Sequence, residues 1–294
     1  MNIKFGPSGN SESFYEEGYK SSLNMPKWLK EKGLSAYEYS CTKGVRIKEI
    51  TARKIGEEAK KNNIFLSIHA PYYINLANPD RQKRENSKKY IMDTLLAAEW
   101  MEAKRVVFHP GSVGKLERQK AFKIAMNTFE EVINYVYKKP LKDIVLCPET
   151  MGKRNQLGTL KEVLELCKLD NKIVPTIDFG HLHARNGGSL KEKKDFQEII
   201  DKIEEQIGQE RAKKIHIHFS RIEFTKAGEK KHWTYADYQF GPNFDPLAEV
   251  LVEKNMTPVI ICESRGTMAE DALIFKKIYE ETYFRQKLEK CAIK

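Results

Sequence analysis

Short apolar runs recur eight times along this chain, and a helical stretch follows each of them. The runs fall at residues 2–5, 35–40, 64–68, 105–108, 143–147, 173–177, 214–218 and 257–262. Each is too short for a helix and is bounded by turn residues or charges, which is the pattern of a strand. The run Ile173-Val174-Pro175-Thr176-Ile177 is apolar almost throughout, as in a strand buried on both faces. The intervening stretches carry helical periodicity. In 47–61 the apolar face is Ile50, Ala52, Ile55 and Ala59, and in 82–101 Ile91, Leu95, Leu96 and Trp100 turn inward.

Strand and helix in alternation imply a parallel sheet. Eight such units in 294 residues fit one closed (β/α)8 TIM barrel of the α/β class, a single domain over 1–294 with no linker and no low-complexity segment. The competing arrangement is an open doubly wound sheet, which needs a glycine-rich phosphate loop after its first strand. Gly6-Pro7-Ser8-Gly9-Asn10 is not GxGxxG, and Pro7 removes an amide such a loop would use. The barrel is therefore expected.

The seven histidines are His69, His109, His181, His183, His216, His218 and His232, and none falls in an expected helix. All lie at the C-terminal ends of the strands or in the loops just after them, the face where such barrels carry active sites. Glu149, Asp178 and Glu263 occupy the same places on strands five, six and eight. A strand-end Asp can also cap the following helix, and a single His at a strand end is ordinary packing. Six consecutive strands that each end in His, Asp or Glu point instead to a metal centre. Imidazoles mixed with carboxylates suit zinc, with manganese or iron as alternatives, rather than calcium or magnesium. The ligand count exceeds the needs of one ion, and a carboxylate such as Glu149 can bridge two ions about 3.5–4 Å apart.

The formal net charge is +10, from 51 Lys and Arg against 41 Asp and Glu. This suits a polyanionic partner such as nucleic acid, and equally a Lys- and Glu-rich solvated surface. Five scattered cysteines without a CxxC pair indicate a reduced, cytoplasmic protein with no disulfide framework. Cys147 and Cys262 read as small buried hydrophobes beside the strand-end acids. MNIKFGPSGN has no apolar stretch behind its charge, so no signal peptide is expected. No run reaches the length of a membrane span, so no membrane partner is expected either.

Together these residues resemble the endonuclease IV family, zinc-dependent apurinic/apyrimidinic endonucleases of the xylose isomerase-like TIM barrel superfamily. The resemblance runs over nearly the whole chain. It rests on HAPYYINLANP from His69, FHPGS from Phe108, PET with Gly152 and Leu157-Gly158, IDFGH from Ile177, HIHFS from His216 and CES from Cys262. It implies a monomer that acts on double-stranded DNA with abasic sites in base excision repair. The cut falls 5′ to the lesion and leaves a 3′-hydroxyl and a 5′-deoxyribose phosphate. It also implies two or three zinc ions. His69, His109 and Glu149 would hold the first, and Glu149, Asp178, His216 and Glu263 the second, with Glu149 and Glu263 as the catalytic carboxylates. His181 and His232 would hold the third.

At that third position the chain departs from the family, which supplies an Asp-x-His pair. Here Gly228-Glu229-Lys230-Lys231-His232 puts Lys230 at the Asp position. Either Glu229 or a more distant acid such as Asp237 reaches in, or the site is rearranged. His183 and His218 are surplus to the implied ligand set and read as supporting or substrate-facing groups. Arg46 and Tyr72, on mouth loops, are the expected DNA contacts, an arginine and an aromatic suited to the gap left by a missing base. Lys43, Lys153, Arg154, Arg185 and Arg221 are further candidates for phosphate contact. Two other functions stay open: a sugar isomerase or epimerase of the xylose isomerase-like type, and a metal-dependent DNA-binding barrel without catalysis.

Overall fold

The computed structural model describes residues 3–139, 141 and 144–292. Its strands are β1 (Lys4–Pro7), β2 (Ala36–Ser40), β3 (Phe65–His69), β4 (Arg105–Phe108), β5 (Val145–Pro148), β6 (Thr176–Asp178), β7 (His216–Phe219), β8 (Arg221–Thr225), β9 (Gly228–Trp233) and β10 (Val259–Cys262). The helices are α1 (Glu12–Glu16), α2 (Met25–Lys32), α3 (Glu49–Asn62), α4 (Arg81–Trp100), α5 (Arg118–Tyr137), α6 (Leu160–Lys168), α7 (Phe179–Arg185), α8 (Lys193–Ile207), α9 (Gln209–Ala212), α10 (Asp245–Glu253) and α11 (Met268–Ala292).

Strands β2, β3, β4 and β5 pair in parallel in that order, and so do β1, β10, β7 and β6. Two parallel bridges close these halves on each other, Ser8 with Glu38 and Glu149 with Thr176. The eight parallel strands thus make the expected (β/α)8 TIM barrel. Gly6 serves the first seam: a Cβ there would stand 1.8 Å from the Ala36 carbonyl oxygen, so only glycine lets β1 and β2 come this close. Each seam carries a buried glutamate, Glu38 or Glu149.

The helices cover the barrel for local reasons visible in the sequence. Thr159 and Glu162 form a capping box at the start of α6, with the Thr159 hydroxyl accepting from the Glu162 amide at 3.2 Å and Glu162 accepting from the Thr159 amide at 2.9 Å. Phe244, just before α10, stacks on Phe275 of α11 at 4.8 Å between centroids and meets Phe219 of β7 edge-on at 5.1 Å. Such pairs add about 0.5–1.5 kcal/mol each beyond their buried area.

Several expectations are corrected. The run expected at 214–218 is strand at His216–Phe219, and the runs at 173–177 and 257–262 likewise give strand only from their third or fourth residue. Asn2 and Asp143, the expected starts of the first and fifth runs, lie outside the described residues. Ile50 sits in the first turn of α3 and is 72% exposed, and Leu96 is exposed on α4, so neither belongs to the inward faces. His181 and His183 lie in a helix, α7, rather than in a loop. The polar stretch after β7 folds into an antiparallel hairpin of β8 and β9, with a bulge between Glu223 and Phe224. Ile222 is buried there and packs over Gly180 of α7, which pins the hairpin to the barrel mouth.

Candidate metal centre

Glu149 directly follows β5 and is fully buried among four imidazoles. Its Oε2 lies 3.1 Å from His69 Nε2 and 3.1 Å from His109 Nε2. Its Oε1 lies 3.1 Å from His218 Nδ1 and 3.4 Å from His181 Nδ1. Burial alone would raise its pKa, but the charge of His218 and the hydrogen bonds from His109 and His181 hold it well below the usual carboxylate range.

Asp178 ends β6 and does two things. Its Oδ1 accepts the His181 amide at 2.7 Å and so caps α7. Its Oδ2 is buried and makes no aligned hydrogen bond, although His181 Nδ1 lies 3.3 Å away. Burial raises its pKa, and the neighbouring Glu263 and Glu149 carboxylates raise it further against the pull of His181. A buried acceptor without a donor, beside two further carboxylates, is costly for a metal-free protein and is what a divalent cation satisfies.

Backbone carbonyls set the tautomers of two of the histidines. His69 Nδ1 lies 2.8 Å from the Ala70 carbonyl and His181 Nδ1 2.9 Å from the Thr150 carbonyl. A carbonyl only accepts, so each Nδ1 carries a proton and each Nε2 is turned to the cluster.

Overlapping donor groups result, and three of them divide the cluster. His69, His109 and Glu149 form one, and Glu149, Asp178, His218 and Glu263 another, with Glu149 shared. His181, His232 and Glu263 form the third. Glu229 on β9 joins that third group, with Oε2 at 3.4 Å from His181 Nε2 and Oε1 at 3.8 Å from His232 Nε2. Glu229, the acid expected to reach in, thus stands beside both histidines. Lys230 turns outward to Glu223 at 2.5 Å, and Asp237 is occupied with the amide and hydroxyl of Thr234. The donor sets, nitrogen and carboxylate oxygen around shared acids, fit zinc, manganese or iron.

One expected ligand is displaced. The resemblance puts His216 in the second group, but β7 pairs His218 with Asp178 and His216 with Thr176, one layer deeper in the barrel. His216 there faces Glu38 at 3.0 Å and Arg105 at 3.3 Å, and burial lowers its pKa to about 4. His218 takes its place at the cluster. His183 stays out: its Nδ1 accepts the Leu190 amide at 3.2 Å, its ring meets Phe224, and burial lowers its pKa to about 4. Glu38, which no sequence feature singles out, lies beneath the cluster and is fully buried.

On the mouth, Tyr72 and Tyr73 are both about half exposed with ring centroids 4.7 Å apart. The hydrogen bond with Tyr72 and burial hold the Tyr73 hydroxyl above its usual value, against the opposing charges of Lys43 and Arg46 in the loop after β2. Arg185 and Arg221 are buried and not free for phosphates. Arg185 donates to the carbonyls of Met151, Lys153, Arg154 and Gln156, and Arg221 to those of Tyr235 and Phe240.

Comparison with known proteins adds the following. A family model described as xylose isomerase-like TIM barrel matches residues 26–281. An uncharacterized protein of Methanocaldococcus jannaschii is 34% identical over 253 residues, 86% of this chain and 90% of that one. Apurinic-apyrimidinic endonuclease 1 of Plasmodium berghei is 28% identical over 80% of this chain, which spans 46% of that protein. A probable endonuclease 4 of Aster yellows witches'-broom phytoplasma is 31% identical over 63% of this chain and 62% of its own length. Among solved structures, a D-tagatose 3-epimerase-like protein superposes with a TM-score of 0.72 at 21% identity, covering 98% of this chain and all of that one. Endonuclease IV from Thermus thermophilus does so with a TM-score of 0.67 at 18% identity, covering 97% and 100%. At those identities the two structures speak for the fold alone.

Proposed function

The chain belongs to the family of xylose isomerase-like TIM barrels, and from that premise we propose that it is a metal-dependent phosphodiesterase that cuts DNA 5′ to abasic sites. The observation that carries this reading is the third donor group, His181, His232 and Glu263 with Glu229 beside both histidines, next to two groups that already share Glu149. A sugar isomerase needs no more than the first two. Bound cations would supply Lewis-acid charge to a phosphodiester.

The chain's own residues divide the remaining work. Glu149 holds the first two groups together, and His69, His109 and His218 are aimed at it. Glu263 is 17% exposed while Glu149 and Asp178 are fully buried, so it is the carboxylate turned toward an incoming substrate. Tyr72, Tyr73 and Arg46 offer aromatic faces and a positive charge beside the opening, as a strand with an unpaired position requires. The net charge of +10 favours the same partner. Among the described residues no helix is long and apolar enough to cross a membrane.

A second reading, a ketose isomerase or epimerase, is kept because the first two donor groups alone would serve it. In that case the first two groups would hold the metal for a ketose, and the third would be idle. One experiment separates the two. Zinc- or manganese-loaded protein is given duplex DNA with a single abasic analogue and, separately, ketohexoses. Incision 5′ to the lesion with an extendable 3′-end is expected. Epimerisation without incision would replace the nuclease reading.

A further inference from the structure

Below the metal centre the barrel interior holds a continuous polar column where side chains of such barrels are usually apolar. It starts with Arg105 on β4, whose Nη2 donates to the Lys214 carbonyl at 2.5 Å. Its Nη1 lies 3.3 Å from His216 Nδ1. A guanidinium only donates, so this nitrogen of His216 accepts and the proton sits on Nε2. His216 Nε2 then donates to Glu38 Oε2 at 3.0 Å. The Ser67 hydroxyl donates to the same oxygen at 2.8 Å. Glu38, Ser67, His216 and His218 are all fully buried, and Arg105 nearly so.

Two donors therefore hold Glu38 Oε2, and Oε1 is left facing His218 Nε2 at 2.9 Å. The contact is short but not aligned as a hydrogen bond, and among the described residues neither atom has another hydrogen-bond partner. Across the ring, His218 Nδ1 is hydrogen-bonded to Glu149 Oε1 at 3.1 Å, a place a bound cation would take over, and faces Glu263 Oε1 at 3.4 Å. Glu38, His216 and His218 also lie close enough to form a donor group of their own. The Arg105 guanidinium on His216 makes that an unsuitable cation site, because it already supplies positive charge there.

We propose that Glu38 is a positioning residue of the metal centre: it fixes the proton of His218 on Nε2, so that Nδ1 is presented to the cation shared with Glu149, Asp178 and Glu263. Arg105, His216 and Ser67 hold Glu38 in that orientation. A carboxylate behind a metal-binding imidazole orients the ring and strengthens it as a ligand, and removing one costs about 10–100-fold in metal affinity. The inference rests on the metal-centre reading and not on which substrate is cut.

The geometry makes Glu38→Gln a sharp test. Ser67 and His216 both donate to one oxygen, so the Gln carbonyl must take that place. Its amide NH2 is then turned to His218 Nε2, which has to accept, and the proton moves to Nδ1. The variant should bind zinc at the Glu149–Asp178–His218–Glu263 group at least about tenfold more weakly in a calorimetric titration of the metal-free protein. Nitrogen-15 spectra of the zinc-loaded parent should show His218 protonated on Nε2 and not on Nδ1. Equal zinc affinity in parent and variant would overturn the proposal, and so would a His218 protonated on Nδ1 in the loaded parent. If Glu38→Gln does not fold, the spectrum of the parent decides alone. A parent that takes up no zinc or manganese would remove the metal centre itself, and this proposal with it, whereas loss confined to the variant's affinity supports both.

Discussion

Gly152 lies so close beneath Glu229 that a Cβ at position 152 would stand 2.5 Å from the Glu229 Cβ. The same added atom would come within 3.0 Å of the His181 ring. Gly152 is therefore the floor on which the third donor group is assembled, and the Glu229 amide donates back to its carbonyl at 3.2 Å. Gly152→Ala should push Glu229 off the group and leave Glu149, Asp178 and His218 in place. Graded chelation of the parent should remove one metal before the others. The variant should lack that metal from the start, and its incision should fall about tenfold or more, the scale of a lost support at a metal ligand. Full metal content and normal incision in Gly152→Ala would detach Glu229 from function.

A second prediction concerns the acid that the first two groups share. Glu149→Gln keeps the size of the side chain and removes the charge that four histidines and two candidate cations converge on. Incision of abasic duplex should fall by about two orders of magnitude. Quantifying bound metal alongside the rate is the check: near-normal incision at full occupancy would take Glu149 out of the centre.

The third prediction is a pH dependence. In the metal-free chain burial alone would lower the pKa of His69, but the hydrogen bond and charge of Glu149, with the charges of Glu38 and Glu263, hold it up to about 9. His181 and His218 are also held well above the usual histidine value by their carboxylate neighbours. These are folded values raised above the unfolded ones. The stability they contribute is thus fully present below about pH 6.5, the unfolded value, and is lost as pH climbs through about 9. Each imidazolium must also give up a proton before it can bind a cation. The metal-free protein should melt at progressively lower temperature across that interval, while its zinc affinity rises and the protons released per zinc decline. A flat melting profile with pH-independent affinity would contradict the protonated cluster.

How much of this was legible in the sequence depends on the layer in which a residue lies. The barrel was readable because strands buried on both faces are near-continuous apolar runs, and the His, Asp and Glu at their ends place the chemistry on one face. Depth along a strand was not readable. His216 and His218 are two apart on β7, so both point into the barrel, and only the pairing of His218 with Asp178 shows which one reaches the mouth. Glu38 lies in Ala36-Tyr37-Glu38-Tyr39-Ser40, where an acid between tyrosines resembles the solvent side of an ordinary half-exposed strand. The hairpin of β8 and β9 was hidden by its charges, since Glu223, Lys226, Glu229, Lys230 and Lys231 make the stretch look like a solvated loop. Its folding is what brings Glu229 to His181, so the choice left open between Glu229 and Asp237 and the unforeseen hairpin have one cause.

The last prediction tests the partner rather than the metal. Tyr72 is 49% exposed and stands against Tyr73 at 4.7 Å between centroids, in the loop that follows His69. Neither ring donates to the metal groups, so a change here should leave metal uptake intact. An exposed aromatic pair has its natural use in stacking on a base or filling the space of a missing one, worth about 1–3 kcal/mol per stacked base. Tyr72→Ala should therefore weaken binding to duplex carrying an abasic analogue by that amount. Its affinity for intact duplex should change less, because phosphate contacts dominate there. The measurement is a pair of salt-matched titrations with metal content determined on the same samples. Equal affinities for both duplexes in parent and variant would show that this loop does not meet the lesion, and would shift the balance toward the ketose reading, which has no use for a stacking pair at the mouth.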